Sequence, residues 1–354
     1  MKFYPFKFKP IYKEKIWGGN KLLTFFKRVL AKKNIGESWE VAAHENGSSI
    51  ISNGNYQGTN ISTLYKKYPK EILGEKSSYN DLENFPLLIK ILDANDKLSV
   101  QVHPDDEYAQ REEGEPGKTE MWYILDAKEN AKLVYGIKEN TDKESFKKSI
   151  EDGTLEKYLN EIKVEKGDVI FIPSGTIHAI EDGILLAEIQ QNSDTTYRVY
   201  DWNRTDSKGN SRELHVEKAL EVTNFQQDIS KAKSTPLRKQ MDGYIRSFLV
   251  ACHYFITEKI EVQKEYSIAP SGNRPYILMN ISGQASINYE DLSYSFNPGD
   301  TFFLPASLNN VRIDGEVEFL LSYLPSTKEE FVQELKNMEF SQQEIENLAG
   351  LKDW

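Results

Sequence analysis

Two long regions of the chain, roughly 84 to 200 and 245 to 325, consist of short segments in which apolar and polar residues alternate, punctuated by Gly, Asn, Asp and Pro. A period of two sends successive side chains to opposite faces of a strand, so both regions predict half-buried β-strands joined by turns. The expected fold class is therefore mainly β. Around these regions lie stretches of helical periodicity: ISTLYKKYPKEIL (61–73), TDKESFKKSIEDGTLEKYLNEI (141–162), ELHVEKALEVTNF (213–225) and STKEEFVQELKNMEFSQQEIENLAG (326–350). Several open on Ser or Thr ahead of acidic residues, the pattern of a helix N-cap. Periodicity fades in SKAKSTPLRKQMDG, which places a domain boundary between 225 and 245.

The alternating regions contain a repeat. Residues 167–178 read GDVIFIPSGTIH and residues 299–310 read GDTFFLPASLNN, each a Gly-Asp pair, an apolar strand, then Pro and a turn at the same spacing. Upstream of each lies a strand containing Tyr-Ile-Leu, in EMWYILDAKENAKL and NRPYILMNISGQASI. Two copies of one β unit follow. They differ where chemistry is possible: His178 stands opposite Asn310, and Glu120 falls near Asn273. The expected organisation is a catalytic domain at 1–225, a metal-free second copy at 226–325 and a helical tail at 326–354.

The candidate chemistry begins in QVHPDDEYA (101–109), which follows the strand-like run LIKILDANDKLSV. Gln101 and His103, two apart on a strand, present an amide and an imidazole side by side. Glu120 starts the next strand and His178 follows the Pro-Ser-Gly turn. Neutral imidazoles and a carboxylate hold zinc or iron while leaving positions open, which suits Lewis-acid work. Each residue alone fits an ordinary hydrogen-bonded pair; their joint placement, and their loss from the twin, favours a metal. His215 and His253 read as structural, and His44 as a residue near a pocket.

Composition narrows the partners. Among 354 residues, 44 basic and 55 acidic side chains give a net charge of −11, which argues against nucleic acid or an anionic membrane as partner and requires a local cationic pocket for any anionic substrate. Lysines interrupt the opening MKFYPFKFKPIYKEKIWGG, so neither a signal peptide nor a membrane span is expected there, and the expected location is the cytoplasm. One cysteine, Cys252, excludes an intramolecular disulfide and a multi-cysteine zinc site.

GDVIFIPSGTIH matches the second cupin motif at every fixed position, and the wider set KIWGGNKL, GESWEVAAH, PLLIKILDANDKLSVQVHPDD, GKTEMWYILDA, GDVIFIPSGTIHAI and AEIQQNSDTTYRVYDWNR resembles type I mannose-6-phosphate isomerases of the shorter bacterial kind. The resemblance implies two cupin (jelly-roll-like) β-barrel domains with short helical segments. It also implies one Zn2+ per chain on Gln101, His103, Glu120 and His178, with Arg198 catalytic and Lys118 in the substrate pocket. The implied activity is aldose-ketose conversion of a phosphorylated hexose through an enediol or enediolate, by a monomer or homodimer. Long members carry Tyr where this chain has Ile180 and Lys-Pro-Glu-Met where it reads KTEM, and their helical insertion is reduced here to 140–162.

Beside the resemblance, the residues suggest further roles. Arg198 offers a permanent cation and a fixed fork of donors to a developing enediolate. Lys118 can hydrogen-bond or shuttle a proton, and Glu188, in LLAEIQQNSD, is the candidate base. Ser99 shares the face of Gln101 and His103, and Lys90 interrupts the apolar run PLLIKIL, so both are candidates for the phosphate. Trp17 would wall the pocket. An iron-dependent cupin oxygenase and a non-catalytic sugar-phosphate-binding cupin are the competing readings.

Overall fold

The computed structural model describes residues 2–30, 32–74, 85–205 and 209–354. The chain is mainly β and divides into two compact units. One comprises Met1–Ile11, Trp39–Ile89 and Ser234–Trp354; the other comprises Tyr12–Ser38 and Lys90–Lys233. The cut at 234 falls inside the stretch where periodicity fades, but 1–11 and 39–89 belong with the second copy, which no single boundary along the chain provides. The reason is strand pairing at a distance. Phe6–Lys9 pairs antiparallel with Thr301–Leu304, Phe6 opposite Phe303 with their rings stacked at 6.4 Å.

Two sheets carry the unit built on 12–38 and 90–233. One runs in the order Leu159–Lys163, Lys132–Ile137, His178–Ile180, Val100–Val102, Tyr197–Tyr200. The other runs Val169–Ile172, Glu120–Ala127, Ile184–Gln191, Leu87–Ala94, Ile11–Gly19, Ile35–Val41. Leu133, Tyr135 and Ile180 from the first sheet share one core with Trp122, Ile124, Ile170 and Leu186 from the second. The intervening residues Val100, Val102, Val134, Ala179 and Val199 face the opposite way, onto Phe146 of the helix Lys143–Glu151 and onto Ala219 and Leu220 of Val216–Val222. Alternation along each strand thus serves two apolar layers, with the amphipathic helices covering the outer one.

Three local expectations change. The helical reading of 141–162 ends early: Lys143–Glu151 is helix, but Leu159–Lys163 is a strand, because its residues pair with Lys132–Ile137. In 61–73, Pro69 opens a new helix, leaving Ile61–Lys67 and Pro69–Leu73. Within SKAKSTPLRKQMDG, Leu237–Gln240 is a strand against Tyr244–Ala251. The tail forms Lys328–Asn337, capped by Thr327, and Gln342–Glu346, which carries a Ser341–Glu344 capping box.

The repeat is visible as one turn made twice. Gly167 and Gly299 take φ of +94° and +83°, and the following aspartate accepts a backbone N–H three residues upstream, Glu165 to Asp168 at 2.9 Å and Asn297 to Asp300 at 3.0 Å. The register also corrects the alignment upstream. Ile172 pairs with Glu120, and its counterpart Leu304 pairs with Tyr276, so Tyr276 rather than Asn273 stands at the position of Glu120. The shared Tyr-Ile-Leu is out of step by three residues.

Candidate metal centre and pocket

His178 on one strand, Gln101 on the next and Arg198 on the third are directly opposite one another in the five-stranded sheet, so all three side chains share its inner face. On the other sheet Trp122 lies opposite Glu188 and Glu120 opposite Gln190. Alternation therefore aims Glu120, Trp122 and Glu188 inward as well.

His103, Glu120 and His178 converge, their ligand atoms all within 4.8 Å of one another and all three residues buried. The tautomers are set from behind: His103 Nδ1 lies 2.9 Å from the Thr195 carbonyl oxygen and His178 Nδ1 2.9 Å from that of Thr176. Both rings donate Nδ1–H to backbone, which turns the Nε2 lone pairs toward the centre. Burial depresses both imidazoles, His178 to about 4 and His103 well below its ordinary value, so they are neutral, as ligands must be. Burial pushes the Glu120 carboxyl up to about 7, and its Oε1 has no hydrogen-bond partner although fully enclosed. An enclosed carboxylate oxygen facing two imidazole lone pairs fits a divalent cation. The Gln101 amide adjoins the group, 3.4 Å from His178 Nε2, while its oxygen accepts from Ser99 Oγ at 3.2 Å. The Lys118 ammonium, bonded to Glu120 Oε2 and 3.0 Å from His103 Nε2, stands in for a cation among these atoms.

In front of the group lies a pocket of about 550 Å³ including its open mouth, lined by Trp17, Lys90, Ser99, Gln101, Lys118, Glu188 and Arg198 among others. The ten candidate catalytic, substrate and metal residues are thus brought together, seven on the pocket wall and His103, Glu120 and His178 beside Gln101 and Lys118. Lys90 and Glu188 form a buried ion pair at 3.2 Å, and Glu188 also accepts from Trp122 Nε1 at 3.0 Å. Burial alone would raise the Glu188 carboxyl, but Lys90 and Lys118 hold it below its ordinary value; burial likewise opposes the Lys90 ammonium, and Glu188 with Glu37 holds it above its own. Arg198 donates from Nε to Ser99 Oγ at 3.2 Å and from a terminal nitrogen to the Glu213 carbonyl at 2.9 Å.

The pocket also contains Lys15, Glu37, Asp194, Thr196 and Arg212, none of which the sequence reading selected. Lys15 lies in KIWGGNKL, Glu37 in GESWEVAAH, and Asp194 and Thr196 in AEIQQNSDTTYRVYDWNR, so signal was available for these four; Arg212 sits outside any motif. His44 does not line the pocket: it accepts the Asn46 N–H at 3.1 Å and meets the Trp39 ring edge-on. His215 is structural as expected, accepting the Arg198 backbone N–H at 3.2 Å.

Comparison with known proteins gives this arrangement a lineage. Residues 5–152 match the family described as phosphomannose isomerase type I, catalytic domain, and residues 244–324 match mannose-6-phosphate isomerase, cupin domain. Mannose-6-phosphate isomerase ManA of Bacillus subtilis is 40% identical over 322 residues, covering 90% of this chain and 99% of its own. The mannose-6-phosphate isomerase of Streptococcus mutans is 40% identical over 311 residues, 88% of this chain and 95% of its own. The crystal structure of a mannose 6-phosphate isomerase from Bacillus subtilis superposes with a TM-score of 0.83 at 37% identity, covering 90% of this chain and 99% of that one. At 16% identity, phosphomannose isomerase from Salmonella typhimurium shares the fold, with a TM-score of 0.74. With identity of this order sustained from end to end of its relatives, the chain belongs to the type I phosphomannose isomerase family.

Proposed function

We propose that the protein interconverts mannose 6-phosphate and fructose 6-phosphate, with one zinc ion held by Gln101, His103, Glu120 and His178. The observation that carries this reading is the convergence of His103, Glu120 and His178 beside a pocket in a chain 40% identical to mannose-6-phosphate isomerases. When bound, zinc supplies Lewis-acid stabilisation of negative charge on substrate oxygen, with no redox change.

The chain's own residues account for the proton movements. Conversion of aldose to ketose takes the proton from C2 and returns one to C1, while O1 gains a proton and O2 loses one. Glu188, held ionised by Lys90 and Lys118, accepts the C2 proton and delivers it to C1. Lys118 donates to O1 and recovers the proton leaving O2. Arg198, pinned by Ser99 and the Glu213 carbonyl, donates to the enediolate oxygen while its charge stays fixed. Ser99 and Lys90 are the candidates for the substrate phosphate and Trp17 walls the pocket, all three being among its lining residues.

The test is turnover of mannose 6-phosphate, followed as fructose 6-phosphate, by the purified protein before chelation, after chelation and after zinc is restored. We expect activity to vanish and return. A folded, zinc-loaded protein without turnover would overturn the proposal, and oxygen uptake with iron would point to the oxygenase reading instead.

A further inference from the structure

Each oxygen of the enclosed Glu188 carboxylate has its own donor. Oε2 lies 3.2 Å from the Lys90 ammonium, and Oε1 accepts the indole N–H of Trp122 at 3.0 Å. Two donors on two oxygens fix the plane of the carboxylate as well as its place. A carboxylate has about four lone-pair sites, so capacity remains for a substrate proton. Trp122 is itself held on every side. It is 1% exposed, stands opposite Glu188 on one neighbouring strand and opposite Ile170 on the other, and shares a core with Ile124, Ile170 and Leu186. Its ring also meets the His178 ring edge-on at 5.5 Å, so one side chain touches both the candidate base and a member of the metal group.

The chemistry of the second donor matters. A group that takes a proton and gives it back needs a fixed orientation together with enough basicity to bind the proton at all. A second cation on Oε1 would hold the carboxylate firmly but depress its basicity further, whereas a neutral N–H supplies direction with little added charge. The surroundings of Glu188 agree: burial pushes its carboxyl up, Lys90 and Lys118 pull it down, Glu37 pushes it up, and the indole bond, the least of these, pulls it down. We propose that Trp122 is a positioning residue for the proton transfer, its indole N–H holding the Glu188 carboxylate in the orientation from which it reaches the substrate carbons. This assignment rests on the reading of Glu188 as the base.

Two variants remove the N–H and keep an aromatic ring: Trp122→Phe, and replacement of Trp122 by benzothienylalanine, in which sulfur takes the place of the N–H at nearly the same volume. Both are loaded with zinc and compared with wild type and Glu188→Gln in steady-state kinetics with mannose 6-phosphate, with a thermal melt of each to confirm the fold. Loss of a hydrogen bond to a charged acceptor should lower kcat by roughly tenfold or more while KM stays nearly constant. The bond itself is read without turnover, from the proton–nitrogen correlation signals of the indoles. The signal absent from Trp122→Phe should lie downfield in wild type and move upfield in Glu188→Gln. An indole signal that ignores Glu188→Gln, or a folded benzothienylalanine variant with wild-type kcat beside an inactive Glu188→Gln, would overturn the positioning role. Turnover by Glu188→Gln at the wild-type rate would instead sink the assignment of Glu188 as base, and the positioning role with it, while the indole signal would still report the bond.

Discussion

Lys90 and Glu188 illustrate what a buried charge needs. Each is about 5% exposed, and the two lie 3.2 Å apart, so each is the other's compensation. Lys90→Met should cost about 3–5 kcal/mol by leaving the carboxylate enclosed without its cation, whereas adding Glu188→Gln to it should restore much of the loss. Chemical denaturation of the two single variants and the double variant checks this; additive costs would show that the pair is not coupled. At this scale the sequence was informative wherever a residue broke its local pattern. A lysine in PLLIKIL and a histidine two places from a glutamine are both anomalies on strands otherwise apolar on one face. Arg212 breaks no pattern and reads as one more solvated cation, so only the pocket distinguishes it, whereas Lys15 opens the stretch KIWGGNKL.

At the scale of elements, the segment 193–196 supports His103 from behind. Glu115 accepts from Ser193 Oγ at 3.0 Å and Thr195 Oγ1 at 2.9 Å, and the Thr195 carbonyl then receives the His103 Nδ1–H. Partners behind a ligand fix its orientation and typically carry 10- to 100-fold in metal affinity. On the proposed metal reading, Glu115→Ala should weaken divalent-metal binding by roughly tenfold while His103 itself is unchanged, as read by competition with a chromophoric chelator; unaltered affinity would show that the segment holds its shape without Glu115. The helices Lys143–Glu151, Val216–Val222 and Lys328–Asn337 were legible because their periodicity is local, as are the Asp142 and Thr327 caps of the first and last. Leu159–Lys163 was read as helix because its neighbour in the sheet, Lys132–Ile137, lies far from it in sequence.

Across the whole molecule, the first strand is the least expected structural element. Phe6 is fully buried and pairs with Phe303, so the lysine-interrupted opening segment is part of a sheet. Phe6→Ala should destabilise the protein by about 3–5 kcal/mol, a cost of the size found for large aromatic residues in cores. Denaturant midpoints of wild type and variant measure it, and a cost below 1 kcal/mol would mean that the strand adds little. No helix among the described residues is long and apolar enough to cross a membrane.

The sequence by itself determined the β class and the internal repeat, and it singled out His103, Glu120 and His178, which converge, together with seven residues that line the inner pocket. Alternation, turn chemistry and motif spacing act over a few residues and are written where they act. The tertiary structure decided which strands pair, that Met1–Ile11 and Trp39–Ile89 join the second copy, that Tyr276 replaces Glu120 there, and that Lys15 and Arg212 line the pocket. Those outcomes depend on which distant backbone groups find each other and on which charges are then enclosed together, and neither depends on near neighbours in the chain.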